Sequence, residues 1–251
     1  MDLETKYNLM KTGGEILSEI LINLKENIKP GINGDILDKL AEELIYSFGA
    51  KPAFKNYQAP FAKKPYLYTI CLSLNEIIVH GYPTKELVIK ENDVVKVDLG
   101  IYYQGVYLDS AFTIYLGEDE KIKNLVETTR KALLETIKII KPGITTGDIG
   151  WKIESIIEDG GLSVIKELCG HDIGEYLHGD LQILNWGDPG KGVIIKNGMF
   201  FTLEPMASLG TGEIDQVDDY IFKTKDNSLS AHFEVTVGVI NNKVEIFTKV
   251  V

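Results

Sequence analysis

The 251-residue sequence contains few residues of several types that define common protein classes. It has two cysteines, Cys71 and Cys169, too few and too far apart for a disulfide framework, so we expect both to be reduced and buried. No apolar run approaches the ~18 residues that a membrane-spanning helix needs. The first residues lack the basic start and apolar stretch of a signal peptide. We therefore expect a cytoplasmic protein that does not enter membranes.

Positive charge is also scarce. The chain has 26 Lys and Arg against 37 Asp and Glu, which gives a formal net charge of −11. A field of that sign repels phosphate backbones and argues against nucleic acid as a direct partner. Carboxylates that hold divalent cations would add to this imbalance until the cations are bound.

An internal duplication organises the chain. The sequence KPGI begins at Lys29 and is followed by GDI from Gly34, and a second KPGI begins at Lys141 and is followed by GDI from Gly147. Each KPGI follows a stretch of helical periodicity, and its Pro and Gly end that helix. A chance recurrence of a helix-stop sequence is the alternative, but the flanking patterns match as well.

The elements predicted around these repeats occur in the same order in both halves. Predicted helices span 9–28, 36–48, 120–140 and 149–157, with Asp35 and Asp148 as N-caps of the second helix in each pair. Predicted strands span 69–74, 94–101, 106–116, 200–205, 216–223 and 231–240. The pattern predicts one α+β domain, 1–251, with pseudo-symmetric halves of about 1–117 and 118–251, an antiparallel sheet inside and helices outside.

Two aspartates lie on facing strands of a predicted hairpin. A loop of Tyr103 and Gln104 would place Asp98 directly opposite Asp109, whereas a loop of Gln104 and Gly105 would make them diagonal neighbours. Both registers leave the two carboxylates on one face. Like charges this close, among apolar neighbours, need a shared proton or a cation between them. An edge hairpin with both aspartates in water is the structural alternative.

Further donors stand in unusual sequence contexts. Only four histidines are present, and His171 and His178 lie seven residues apart among glycines, while His80 precedes a turn. Glu204 and Glu234 each interrupt an apolar strand pattern, where a charged side chain needs a partner. Together with the two aspartates, the two glutamates and one imidazole form an oxygen-rich donor set. Such a set suits two divalent first-row metal ions.

These motifs resemble those of type I methionine aminopeptidases. The resemblance rests on VDLG at Asp98, YLDSA at Asp109, CGHDIG at His171, FTLEPM at Glu204, SLSAHFE at Glu234 and NEIIVHGYP at His80. It covers nearly the whole chain and implies the pita-bread fold of M24 peptidases. It also implies that water activated by two divalent ions (Co, Mn, Fe or Zn) attacks the first peptide bond and releases the N-terminal methionine of nascent polypeptides. Action on nascent chains leaves ribosome association open, and the resemblance favours a monomer.

The resemblance also implies roles for individual residues. The implied metal ligands are Asp98, Asp109, His171, Glu204 and Glu234. Glu204 would also shuttle the proton of the attacking water, and His178 and His80 would contact the substrate amide and stabilise the tetrahedral intermediate. The implied methionine pocket consists of Cys71, Tyr220 (where Trp is usual), Leu177 (where Phe is frequent), Phe54 and Tyr57.

The sequence departs from the family pattern at a few positions. Asp172 stands where Gly is usual, Gly179 where Glu is common and Val235 where His is common, and the stretch 58–68 is longer than usual. None of these is an implied ligand. We hypothesise that the Asp172 charge tunes the metal site, which an Asp172→Gly variant with unchanged metal affinity and rate would refute.

Three other functions are alternatives. An X-Pro aminopeptidase or prolidase shares the fold but usually carries an additional N-terminal domain, and a non-catalytic binding module of this fold typically loses ligands that are all present here. His171-Asp172 also matches the doublet of HD-type phosphohydrolases, which need more histidines than this chain has.

Overall fold

The computed structural model describes residues 1–249, which form four helices and fifteen strands, with a pair of helices before the strands of each half. The helices are α1 (Leu3–Asn27), α2 (Gly34–Ser47), α3 (Glu120–Ile137) and α4 (Thr146–Asp159). The first-half strands are β1 (Lys51–Pro52), β2 (Cys71–Leu74), β3 (Ile77–Val79), β4 (Val94–Tyr103) and β5 (Val106–Tyr115). The second-half strands are β6 (Ser163–Val164), β7 (Cys169–His171), β8 (Gln182–Leu184), β9 (Phe200–Leu203), β10 (Met206–Ser208), β11 (Ile214–Gln216), β12 (Phe222–Thr224), β13 (Ser230–His232), β14 (Val235–Ile240) and β15 (Lys243–Ile246). Within this described part of the chain, no helix is long and apolar enough to cross a membrane.

The two helix pairs are held by the same backbone contacts, as the duplication predicts. The Gly31 N–H donates to the Ile89 carbonyl at 2.8 Å, and the Gly143 N–H donates to the Ile195 carbonyl at 3.0 Å. Each contact joins the loop between paired helices to a later segment of its own half. The antiparallel α+β architecture with two similar halves is therefore confirmed.

The predicted N-caps were wrong by two or three residues. Asn33 caps α2 by accepting the N–H of Ile36, and Thr145 caps α4 by accepting the N–H of Asp148. The Asp148 carboxylate accepts the Thr145 N–H in return, which completes a capping box. The aspartates therefore lie inside the first turn, where negative charge is favourable but does not mark the boundary.

The long β4–β5 hairpin is the central element of the first half. It pairs Asp98 with Ala111 and Gly100 with Asp109, so the aspartates are diagonal and the directly opposed register is wrong. Gln104 and Gly105 form the turn with φ values of 47° and 105°. Positive φ at both positions is the geometry of the two-residue hairpin turn that matches strand twist.

Two predicted strands of the second half are interrupted. The stretch 216–223 is a hairpin of β11 and β12, because the Asp218 carboxylate accepts the N–H groups of Tyr220 and Ile221 and closes a turn. The stretch 231–240 is divided into β13 and β14. Between them, Glu234 forms an isolated antiparallel bridge with Ala111 of β5. That bridge joins the strands of the two halves where acidic residues converge.

Candidate metal centre and active site

Three carboxylates meet where β4, β5 and the Glu234 bridge adjoin. Thr236 fixes Asp109, because its hydroxyl accepts the Asp109 N–H at 3.0 Å and donates to the Asp109 carbonyl at 2.7 Å. Ser110 and Ala111 hold the backbone of Glu234 through its carbonyl. One oxygen from each of the Asp98, Asp109 and Glu234 carboxylates lies within 4.8 Å of the other two.

A second group of donors comes from β7 and β9. The Thr202 hydroxyl accepts the N–H of His171 and donates to Glu204 Oε1, both at 3.0 Å. His171 Nε2 lies 3.7 Å from the same carboxylate oxygen. Ligand atoms of His171, Glu204 and Glu234 also lie within 4.8 Å of one another, so Glu234 belongs to both groups.

Burial of these carboxylates strongly favours their protonated forms. Burial raises the pKa of Asp98 to about 7. Burial and the neighbouring carboxylates raise the pKa values of Asp109, Glu204 and Glu234 well above their usual range. Asp98 Oδ1 and Glu234 Oε1 are buried and have no hydrogen-bond partner among residues 1–249. In their ionised forms, four carboxyls in these conditions need compensating positive charge.

The ring of His171 is fixed by a backbone carbonyl, and its Nε2 is free to accept. Its Nδ1 lies 3.1 Å from the Asp172 carbonyl, which can only accept, so Nδ1 carries the proton. The lone pair of Nε2 then faces Glu204. Burial lowers the pKa of His171 to about 4, so the imidazole is neutral at neutral pH and Nε2 remains an acceptor. When Glu204 is ionised, the contact joins two acceptors, which a cation between them satisfies. The donor set therefore fits divalent metal ions.

Two further imidazoles face the same cavity. His80 has a φ of +60°, a strained conformation for a non-glycine residue, and its Nδ1 donates to the Tyr220 carbonyl at 3.1 Å. His178 Nδ1 lies 2.9 Å from the Tyr57 hydroxyl, and its ring centroid lies 4.5 Å from that of His171. Both predicted substrate-contacting histidines are thus held by partners on other segments.

The cavity has a volume of about 640 Å³ and is lined by nearly all the predicted site residues. Four of the five predicted pocket residues belong to its lining: Phe54, Tyr57, Cys71 and Tyr220. Leu177 is buried in the hydrophobic core and is not among the described lining residues, so its assignment stays a prediction. The lengthened stretch adds Phe61, whose ring lies 6.4 Å from that of His80, as a wall of the cavity.

Two departures from the family pattern contact each other. The Asp172 carboxylate accepts the Leu181 N–H at 2.7 Å, and the Asp172 carbonyl accepts the Gly179 N–H at 3.0 Å. A Cβ at position 179 would overlap the Asp172 carboxylate. Asp172 therefore requires a glycine at 179 and braces the loop that carries His178.

Thr202 and His232 also touch the donor set, although neither was predicted as a site residue. Thr202 bridges His171 and Glu204, and His232 lines the cavity with its Nε2 3.9 Å from Glu204 Oε2. His232 lies two residues before Glu234, and residues two apart in a strand face the same side. That spacing could have identified it.

Comparisons with known proteins agree with this geometry. The profile of metallopeptidase family M24 matches residues 8–241. A methionine aminopeptidase of Mycoplasma capricolum is 40% identical over 243 residues, covering 96% of this chain and 94% of the relative. One of Rickettsia prowazekii is 36% identical over 248 residues, covering 98% of this chain and 93% of the relative.

Solved structures give the same result. The crystal structure of methionine aminopeptidase from Thermotoga maritima matches with a TM-score of 0.93 and 41% identity, covering 98% of this chain and 97% of that one. A prolidase from Pyrococcus horikoshii matches with a TM-score of 0.73 and 20% identity and shares the fold alone, with 62% of its length covered. The predicted pita-bread fold is confirmed, and the prolidase alternative is not favoured. The chain therefore belongs to metallopeptidase family M24 and, within it, to the methionine aminopeptidases.

Proposed function

We propose that Asp98, Asp109, His171, Glu204 and Glu234 hold two divalent metal ions, and that this centre removes the N-terminal methionine of nascent polypeptides. The observation that carries the proposal is the contact of the neutral His171 Nε2 with Glu204, beside three more buried carboxyls. Glu234 belongs to two donor groups, which supports a pair of ions rather than one. The oxygen-rich character of the five-residue donor set suits Mn, Fe, Co or Zn.

Metal ions bound here would lower the pKa of water and polarise the scissile carbonyl. Glu204 is the group we propose to take the proton of the attacking water and to pass it to the departing amine. Its carboxylate belongs to the lining of the cavity, and Thr202 fixes Oε1. A carboxylate that holds a proton readily is suited to both halves of that transfer.

His80 and His178, the two predicted substrate-contacting histidines, have complementary hydrogen-bonding capacity. His80 Nδ1 donates to a carbonyl, which leaves Nε2 as an acceptor for the N–H of the scissile amide. We propose that the Tyr57 hydroxyl donates to His178 Nδ1, which leaves Nε2–H as a donor to the oxyanion of the tetrahedral intermediate. Loss of the Tyr57 hydroxyl would then weaken that donor.

The methionine side chain would lie among sulfur and aromatic edges. Cys71 pairs with Asp98 across β2 and β4, so the apolar pocket begins directly beside a proposed metal ligand. Phe54, Tyr57 and Tyr220 complete this wall of the cavity. A flexible thioether packs well against such surfaces.

We propose that the whole chain acts as a single catalytic domain. Asp98 and Asp109 come from the first pseudo-repeat, and His171, Glu204 and Glu234 come from the second. Neither half alone offers the five donors. Nascent chains arise in the cytoplasm, where we expect the protein to act as a monomer; contact with the ribosome is a further expectation.

The test is release of free methionine from Met-Ala-Ser by metal-stripped protein after addition of each divalent ion. Peptides with proline first, and X-Pro peptides, are the matched controls. Metal-dependent release from Met-Ala-Ser alone is expected. Cleavage of X-Pro peptides instead would assign the chain to prolidase-like activity, and metal binding without any cleavage would support a binding module.

A further inference from the structure

His232 is a buried imidazole to which the proposed reaction assigns no role. Its side chain is 3% exposed, and its Nε2 has no hydrogen-bond partner among residues 1–249. A buried polar atom without a partner is costly, and such atoms in native proteins usually face a group, water or ion that satisfies them. His232 lines the metal-site cavity, so its Nε2 is directed toward that site.

The backbone of His232 is firmly held. Its N–H donates to the Thr113 hydroxyl at 3.0 Å, and the same hydroxyl donates to the His232 carbonyl. In the sheet, His232 pairs with Met206, two residues after Glu204. The imidazole is therefore carried by a strand and lies at a fixed distance from the Glu204 segment.

The two carboxylate oxygens of Glu204 face different histidines. Oε1 accepts from Thr202 and faces His171, whereas Oε2 faces His232 Nε2 at 3.9 Å. Among residues 1–249, no group donates a hydrogen bond to Oε2. A separation of 3.9 Å is too long for a direct hydrogen bond but is spanned by one water or by a small rotation of the carboxylate.

We propose that His232 is a positioning residue: its Nε2–H holds Glu204 Oε2, so that Glu204 keeps Oε1 directed at His171 and the metal ions. The inference rests on the proposed role of Glu204 as ligand and proton carrier. His232 thus completes, for Oε2, what Thr202 does for Oε1. Supporting hydrogen bonds of this kind are worth ~10–100-fold in metal affinity or activity.

The test replaces His232 with Gln or with Asn, whose amide groups differ in reach. In Gln the amide nitrogen reaches about as far as Nε2 of His, whereas in Asn it reaches only about as far as Nδ1. We expect His232→Gln to retain kcat and Mn²⁺ affinity, while His232→Asn and His232→Leu lower both by ~10–100-fold with little change in KM for Met-Ala-Ser. Mn²⁺ affinity is measured by calorimetry on metal-stripped protein, and melting temperatures identify variants that fail to fold.

A second set of variants separates this inference from the activity itself. In a Glu204→Ala background, exchanging Gln for Asn at position 232 should leave Mn²⁺ affinity unchanged, because the group that His232 orients is gone. Equal affinities for the Gln and Asn variants with Glu204 present would overturn the inference, as would equal losses in all three. If the unaltered protein released no methionine, the proposed function would fail, yet the ranking of Mn²⁺ affinities would still decide the role of His232.

Discussion

At the scale of single residues, Thr202 connects two proposed ligands of different segments. One hydroxyl accepts from His171 N–H and donates to Glu204 Oε1. A valine keeps the shape of the side chain but leaves the N–H without an acceptor and the carboxylate without a donor. Partners of this kind orient ligands without touching the metal themselves.

Thr202→Val should therefore weaken Mn²⁺ binding by ~10–100-fold, as measured by calorimetry on metal-stripped protein. Thr202→Ser retains the hydroxyl and should stay close to the unaltered protein. Equal Mn²⁺ affinities for the Val and Ser variants would show that the hydroxyl does not orient the ligands.

The contact of Asp172 with Gly179 makes a second prediction at this scale. A Cβ on Gly179 would overlap the Asp172 carboxylate, which is held by the Leu181 N–H. Gly179→Ala should therefore cost ~1–3 kcal/mol in free energy of unfolding. Each kcal/mol corresponds to about 2–4 °C in melting temperature for a domain of this size.

The double variant is the control. With Asp172→Gly already present, Gly179→Ala should cost little, because the overlapping carboxylate is gone. The same loss of melting temperature in both backgrounds would mean that the overlap does not constrain position 179.

At the scale of elements, the β4–β5 turn sets the register of two proposed ligands. Gln104 and Gly105 have positive φ, and this two-residue loop makes Asp98 and Asp109 diagonal. A loop one residue earlier would have placed them directly opposite. The spacing of these proposed metal ligands therefore depends on a turn that lies at the far end of the hairpin.

Gly105→Ala should destabilise the protein by ~1–2 kcal/mol, because an L-residue is disfavoured at a φ of 105°. Gln104→Asn is the matched variant and should be neutral or stabilising, since Asn tolerates positive φ better than Gln does. Thermal unfolding measures both, and identical melting temperatures for the two variants would contradict the assigned turn.

At the scale of the whole molecule, folding concentrates negative charge that the sequence spreads over 137 residues, from Asp98 to Glu234. Burial raises the pKa of Asp98 to about 7, and burial with the neighbouring carboxylates raises the pKa values of Asp109, Glu204 and Glu234 well above their usual range. In metal-free protein, Asp98 is therefore about half protonated at pH 7. His171 contributes no proton, since its pKa of about 4 leaves it neutral.

Metal binding should release these protons, and the apparent Mn²⁺ affinity should rise between about pH 6 and about pH 8. The sign follows from competition, because a higher pH removes the protons that occupy the ligands. Calorimetry in phosphate and in Tris, which differ in ionisation enthalpy, counts the protons released. Equal binding heats in the two buffers would contradict raised carboxyl pKa values.

Much of the fold could be predicted because its signals are local. Helical periodicity, the two KPGI stops and the alternation in β4 and β5 are each read within about 20 residues, and all are present in the structure. The N-caps were missed because Asn33 and Thr145 compete with nearby aspartates for the same role. The prediction of a single strand at 216–223 was wrong because a side-chain turn at Asp218 overrides the β propensity of that stretch.

The sequence alone determined which residues are proposed as ligands, because a carboxylate inside an apolar strand signals its need for a partner wherever it lies. Only the tertiary structure decided the hairpin register, the interruption of the last sheet at Glu234, and the positions of Thr202 and His232 beside Glu204. These depend on which distant segments pack together. A contact between two such segments leaves no periodic pattern in the sequence of either one. It can therefore be seen only in the folded structure, where the two halves pack together.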